Sequence, residues 1–162
     1  MRGGLYLETA SEEDLEALLA LEQASYTHPW TLRNFRDALL AEGALVVVLR
    51  APFEPGDRAR GIVGYCVAQL VVDELHVHNV LVRPAERSRG LGRRLLGLVL
   101  GIAARRGARA ALLEVRQGNW PALHLYRALG FAAVAVRRDY YDRPREDAVV
   151  LRKADLTALL DP

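Results

Sequence analysis

The chain has 162 residues, of which 51% are hydrophobic and 26% charged, a size and apolar content that suit a single domain built round one core. A formal net charge of +2 is too small to demand nucleic acid as a partner, although it tolerates an anionic ligand. The longest apolar stretch, residues 95–104, falls short of the roughly 18 residues of a membrane span, and the N-terminus turns polar too early for a secretory signal, so a cytoplasmic protein with no membrane partner is expected. Lys153 is the only lysine among 22 basic residues, which reads as a compositional habit of the source. Cys66 has no partner for an intramolecular disulfide and reads as a small buried hydrophobe in a reducing compartment.

In chain order, residues 5–8 predict a short strand. Ser11, three residues before Asp14, then caps a helix that buries Leu15, Leu18 and Leu19. The segment Tyr26-Thr27-His28-Pro29-Trp30 breaks that helix, and Thr31 caps a second one with Leu32, Phe35 and Leu39 on one face. Residues 44–50 and 61–72 predict strands joined by a long loop over 51–60 that holds Pro52, Pro55 and Gly56. A strand over 74–82 follows. Its alternation puts Leu75, Val77, Asn79 and Leu81 on one face and His76, His78, Val80 and Val82 on the other.

After Pro84, apolar Leu91, Leu95, Leu98, Val99 and Ile102 mark a helix over 89–106, closed by Gly107 in a left-handed conformation. Residues 110–115 predict a buried strand. Asn119 caps a helix with Pro121 in its first turn and an apolar stripe of Ala122, Leu125 and Leu129. Residues 131–137 and 148–152 are the last two strands, with Tyr140 and Tyr141 in an exposed turn between them. The order predicts an α/β (α+β) fold: a mixed sheet of about seven strands with about four helices on its two faces.

The chemistry gathers where the third helix begins. A helix N-terminus carries partial positive charge and disfavours arginine, yet Arg83, Arg87, Arg89, Arg93 and Arg94 crowd this one. Gly90 and Gly92 remove side chains where backbone amides can approach a ligand, so an anion, most naturally a pyrophosphate, resolves the conflict. The alternative is a solvated basic turn. There is no Gly-Lys-Ser/Thr ending of a P-loop, and position 95 is leucine where a dinucleotide fingerprint places its third glycine. Both nucleotide chemistries are thereby disfavoured.

The pattern Arg87-x-x-Gly90-x-Gly92 resembles the pyrophosphate-binding motif of the GCN5-related N-acetyltransferases, the GNAT superfamily. The likeness runs from about residue 74 to residue 150. Leu113-Glu114-Val115-Arg116, Asn119, Leu125-Tyr126 to Gly130-Phe131, and Arg137-Arg138-Asp139-Tyr140-Tyr141 resemble the RimI branch, the ribosomal-protein-alanine N-acetyltransferases, with His28-Pro29-Trp30 as a further marker. Gln117-Gly118 and Trp120-Pro121 depart from that pattern.

The resemblance implies acetyl-coenzyme A as cosubstrate, no metal, and the N-terminal alanine of a small-subunit ribosomal protein (protein eighteen) as acceptor. It assigns coenzyme A contacts to Val80, Leu81, Val82, Arg87, Ser88, Arg89, Gly90, Leu91, Gly92, Arg93 and Asn119. Acceptor contacts fall to Trp30, Arg138, Tyr140 and Tyr141. Glu114 becomes the general base and Tyr126 the general acid, and the splayed strand 79–82 leaves amides near Val80 and Val82 free to hold the cosubstrate.

Read from the residues alone, each site has a plainer alternative. Glu114, at the end of an apolar strand, is either paired with a neighbour such as Arg116 or placed at a cleft. Tyr126 is core packing or a proton donor, and Asn119 is an N-cap or a ligand contact. His76 and His78 lack a third ligand and read as packing or surface residues. A non-catalytic coenzyme A-binding module and a nucleic-acid-binding domain are the competing functional readings; retention of Glu114 and Tyr126 speaks against the first, and arginines scattered without a binding motif speak against the second.

Overall fold

The computed structural model describes residues 4–52, 56, 57 and 61–160. Most of the loop expected over 51–60 therefore lies outside the described residues. The elements run β1 (Tyr6–Thr9), α1 (Leu15–Ser25), α2 (Leu32–Leu40), β2 (Ala44–Arg50), β3 (Ile62–Val71), β4 (Glu74–Val82), α3 (Leu91–Arg105), β5 (Ala110–Arg116), α4 (Trp120–Ala128), β6 (Ala132–Asp142) and β7 (Arg145–Lys153). Seven strands form one sheet in the order β1-β2-β3-β4-β5-β7-β6, and only the β4–β5 pair is parallel.

Local chemistry sets the helix starts. The Ser11 amide donates to Asp14 at 2.9 Å, opening the turn that leads into α1. Thr31 and Asn34 exchange reciprocal bonds of 3.2 and 2.8 Å at the start of α2. Asn119 Oδ1 accepts from the Ala122 amide at 3.2 Å to open α4. Gly107, at φ 96°, closes α3 as its sequence predicts.

Helices cover both faces of the sheet. On one face α3 and α4 bury Leu95, Leu96, Val99, Leu100 and Leu123 against Leu75, Val77, Leu113 and Val115. On the other, Leu15 and Leu18 of α1 and Phe35 of α2 pack on Tyr65, Val67 and Leu81. Each such aliphatic side chain contributes about 1.5–3 kcal/mol on leaving water. The face of α3 differs from the predicted stripe: Leu98 is 42% exposed, whereas Leu96, Leu100, Ala103 and Ala104 are buried. At 100° per residue the buried positions 95, 96, 99, 100, 103 and 104 form one arc of the helix, and Leu98 falls outside it.

Two further corrections come from strand pairing. In β4 the register slips between Val67 and Ala68, so that His78 is an extra residue, a β-bulge. Beyond it the faces exchange. Leu75 and Val77 pack with α3, whereas Asn79 and Leu81 point toward α1 and α2, and Val80 packs with the α3 core. In β6, Tyr140 and Tyr141 are not in a turn, because the strand continues to Asp142 past a second irregularity at Asp139, where φ is 52°.

Candidate active site

The central feature is a split in the sheet. β4 pairs with β5 only from Glu74 to Val77, opposite Ala110 to Leu113. From the His78 bulge onward β4 stays with β3 and leaves β5, which continues as a partner of β7. The carbonyls of Val80 and Val82 are taken by side chains instead of a strand: Tyr26 Oη donates to Val80 O at 3.1 Å, and Arg87 Nε to Val82 O at 3.0 Å. A strand residue presents its N–H and C=O on the same side, so the amides of Val80 and Val82 face the gap.

Glu114 and Tyr126 stand on different sides of the sheet and meet at this gap. Along β5, Leu113 and Val115 point into the α3 core, which turns Glu114 and Arg116 to the α1–α2 face. Tyr126 lies on α4, on the α3 face, with its ring edge-on to Phe131 at a centroid distance of 6.0 Å. Both line one cleft of about 480 Å³, together with Tyr26, Asn79, Val80 and Asn119. This cleft shares Trp30, His78, Glu114 and Tyr141 with a groove of about 500 Å³ on the α1–α2 face, lined also by His76 and Tyr140. Volumes of this size suit a small ligand or a peptide end.

The partner of Glu114 is not Arg116. Arg137 Nε sits 2.7 Å from Glu114 Oε1, and this carboxylate makes the neighbouring Tyr140 phenol hold its proton more tightly. Arg116 reaches Glu146 at 3.3 Å and the Pro144 carbonyl at 3.0 Å, with its guanidinium 4.1 Å from the centre of the Tyr141 ring. Neighbours two apart on a strand share a face, but here the tighter pairing comes from β6, across β7. Glu146 also accepts from the Gly118 amide, and a Cβ at Gly118 would meet Glu146 Oε2 at 2.8 Å.

Burial raises the Tyr126 hydroxyl well above the usual tyrosine range, so its proton stays in place at neutral pH. Asn119 uses Oδ1 as the cap of α4 while lining the cleft, and its amide group remains a donor. Leu81 is not brought to the gap. It is 2% exposed and packs on the α1–α2 core beside Tyr65, because the bulge turned it there. Arg138 is exposed and lines neither cavity.

The turn before α3 is open. Gly90 adopts φ 73° and ψ 7°, a left-handed conformation that disfavours side chains, and a Cβ there would meet nothing within 4 Å. The first amides of α3 have no intrahelical acceptor. Gly92 lies closer to its neighbours: a Cβ there would stand 3.3 Å from Leu125 Cδ2 of α4, tighter than an ordinary contact. Of the arginines around the turn, Arg87 holds Val82 O, Arg89 pairs with Glu86, and Arg94 donates to Leu5 O at 3.1 Å. Ser88, Arg89 and Arg93 are exposed beside Gly90 and Leu91.

Several lining residues lie outside the predicted set: Tyr26, Arg137 and Glu22, with His76 and His78 on the groove side. Glu22 had a visible signal, since it continues the buried series Leu15, Leu18 of α1 where an aliphatic residue is expected. His76 and His78 have ring centroids 6.5 Å apart; burial, then the neighbouring ring, lowers the proton affinity of His78. Among the described residues no group of three His, Cys, Asp or Glu side chains is arranged to hold a metal ion, and no helix is long and apolar enough to cross a membrane.

The sequence matches the profile of the Acetyltransferase (GNAT) family over residues 15–131. It is 31% identical to the [ribosomal protein bS18]-alanine N-acetyltransferase of Haemophilus ducreyi, across 90% of this chain and 97% of that protein. It is 32% identical to the Escherichia coli enzyme of the same description, across 85% and 89% of the two lengths. The crystal structure of the ribosomal-protein-S18-alanine N-acetyltransferase from Escherichia coli superposes with a TM-score of 0.80 at 30% identity, covering 92% of each chain. Ard1 from Thermoplasma volcanium, 22% identical with a TM-score of 0.78, shares the fold. Identity at this level along nearly the whole of both chains, together with the family profile, establishes that this chain belongs to the GNAT family of acetyltransferases.

Proposed function

We propose that the protein transfers an acetyl group from acetyl-coenzyme A to the N-terminal α-amine of a protein, the acceptor being the N-terminal alanine of ribosomal protein bS18. The observation that carries this reading is the split between β4 and β5, which brings a carboxylate, a phenol and free backbone amides to one cleft from both sides of the sheet. The named activity of the Haemophilus and Escherichia relatives supports the acceptor.

The turn at 87–92 suits the pyrophosphate, with helix amides and exposed Ser88, Arg89 and Arg93 as donors. The Val80 and Val82 amides then donate along the pantetheine arm and to the thioester carbonyl oxygen, where negative charge develops as the amine attacks. The acceptor enters from the groove past Trp30, Tyr140 and Tyr141. An α-amine has a reference pKa of about 8 and is largely protonated at neutral pH. Glu114, directly or through one water, removes that proton; Arg137 orients its carboxylate. Tyr126, kept protonated by burial, donates to the departing sulfur. The ammonium loses its first proton to Glu114, which passes it to water, and the C–N bond forms as the amine attacks. The adduct nitrogen then gives a second proton to Glu114, and the C–S bond breaks as the sulfur takes a proton from Tyr126. Return of the Glu114 proton to Tyr126 through water restores both groups, with one proton released overall.

The direct test is mass spectrometry of a reaction with acetyl-coenzyme A and an equimolar mixture of two peptides, one starting with alanine and one with a blocked N-terminus and a lysine. The expected product carries acetyl on the α-amine, since lysine, with a reference pKa near 10.4, offers far less neutral amine at pH 7. Predominant ε-acetylation would overturn the acceptor assignment.

A further inference from the structure

The open half of β4 has lost its β5 partner, and the end of α1 takes its place. Glu22 is 2% exposed and receives three donors from three elements: the Trp30 amide at 3.0 Å, Asn79 Nδ2 at 2.9 Å, and the Tyr65 hydroxyl. No cation stands among these partners. Taking a carboxylate out of water costs several kcal/mol, and three hydrogen bonds offset that cost only while all three donors stay in place. Trp30 lines both the cleft and the groove, and Asn79 is the first residue after the bulge at which β4 leaves β5. One turn on, Tyr26 holds the Val80 carbonyl.

We infer that Glu22 is a positioning residue that fixes the spacing between the Val80 amide edge and the Trp30 wall of the acceptor groove. The inference rests on the acetyltransferase reading of the cleft. An aliphatic residue would satisfy the stripe Leu15, Leu18 on α1 and remove the desolvation cost of a buried charge. What it would not do is tie the α1–α2 connector to the unpaired half of β4. The carboxylate therefore sets geometry at this position, joining three donors from three elements that an aliphatic side chain would leave apart.

The test compares wild type with Glu22→Leu, Asn79→Ala and the double variant. Thermal melting should show Glu22→Leu folded but less stable than wild type, because relief of the buried charge is set against three donors left without their acceptor. Hydrogen–deuterium exchange should quicken in peptides spanning 78–82, while 74–77 stays protected. With the acceptor that wild type uses, kcat/KM should fall about tenfold, and coenzyme A affinity by calorimetry should stay within twofold because the 87–92 turn is untouched. Asn79→Ala should show the same split, and the double variant should be no worse than Glu22→Leu, since coupled residues are non-additive. Unchanged exchange at 78–82, wild-type turnover, additive losses, or a parallel loss of coenzyme A binding would each overturn the proposal. Should Glu22→Leu fail to fold, Glu22→Gln, which keeps the volume, carries the same comparison with a smaller expected effect. A wild-type enzyme that ignores alanine-starting peptides would sink the acceptor assignment alone, because the exchange measurement does not depend on the acceptor.

Discussion

The two halves of β4 have opposite fates within nine residues. From Glu74 to Val77 the strand is paired on both edges, and Leu75 and Val77 are core. From His78 to Val82 one edge is bare, its carbonyls are claimed by Tyr26 and Arg87, and its amides face a cleft. The closed half needs only apolar side chains of the right period. The open half, still paired with β3, adds a bulge, two side-chain tethers and a buried carboxylate where the β5 partner is missing. Strand edges are ordinarily paired or blunted, so an edge kept bare inside a sheet marks a place where a ligand completes the ladder.

Substitutions break the comparison from either side. The largest effect is expected for Glu114→Gln, which should lower kcat/KM at pH 7 by about 10²–10⁴, with part of the loss recovered as the pH rises through the α-amine pKa of about 8. A pH–rate profile of the variant reads this directly, and a flat deficit across that range would mean that the proton leaves by another route. In the closed half, Leu75→Ala removes a fully buried side chain and should cost about 2–5 kcal/mol in denaturant unfolding, with KM values unchanged in the enzyme that remains folded.

Tyr126→Phe keeps the ring on Phe131 and should lower kcat by about 10², without recovery at high pH and with coenzyme A affinity preserved. If turnover stays near wild type, the tyrosine is packing only. Gly90→Val forces a β-branched residue into a left-handed conformation and should weaken coenzyme A binding about tenfold by calorimetry, a strain of about 1–2 kcal/mol. The smallest effect near neutrality is in stability. Tyr65 and Tyr126 flank the open half, and burial raises both phenols in the folded state. Unfolded tyrosines ionise near pH 10, so the folded chain binds more protons above that point and loses stability as the pH rises further. Burial also pushes the Cys66 thiol up to about 12, and an unfolded thiol ionises near pH 8.5. Melting temperatures should therefore be level from about pH 7 to about 8, decline from about 8.5 and fall more steeply beyond about 10, with Tyr65→Phe shallowing the later part of the fall.

Much of the scaffold was legible residue by residue. Ser11 with Asp14, Thr31 before α2, Asn119 with Pro121, and Gly107 after α3 are local devices whose partners lie within four residues. The Gly90 turn was legible from its basic, glycine-bearing sequence, while Glu114 and Tyr126 became candidates through the family resemblance, and the structure brings both side chains to one cleft. Other features were hidden. Arg116 is two residues from Glu114, but the ion pair goes to Arg137, which only the β5-β7-β6 order brings near. Tyr140 and Tyr141 follow charged residues that read as a turn, yet pairing with β7 extends the strand through them.

Local pattern was enough to set the helices, their caps, the alternating strands and the basic glycine turn, because each depends on contacts a few residues apart along the chain. Long-range pairing was needed for the register slip at His78, the face exchange that sends Leu81 into the core and Asn79 to Glu22, and the parting of β4 from β5. A bulge is a mismatch between two strands and leaves no mark in the pattern of either one. For that reason candidates such as Glu114 and Tyr126 could be named from the sequence, whereas Tyr26, Glu22 and Arg137 went unnamed and the opening that lets side chains on opposite faces of the sheet share a cleft stayed hidden.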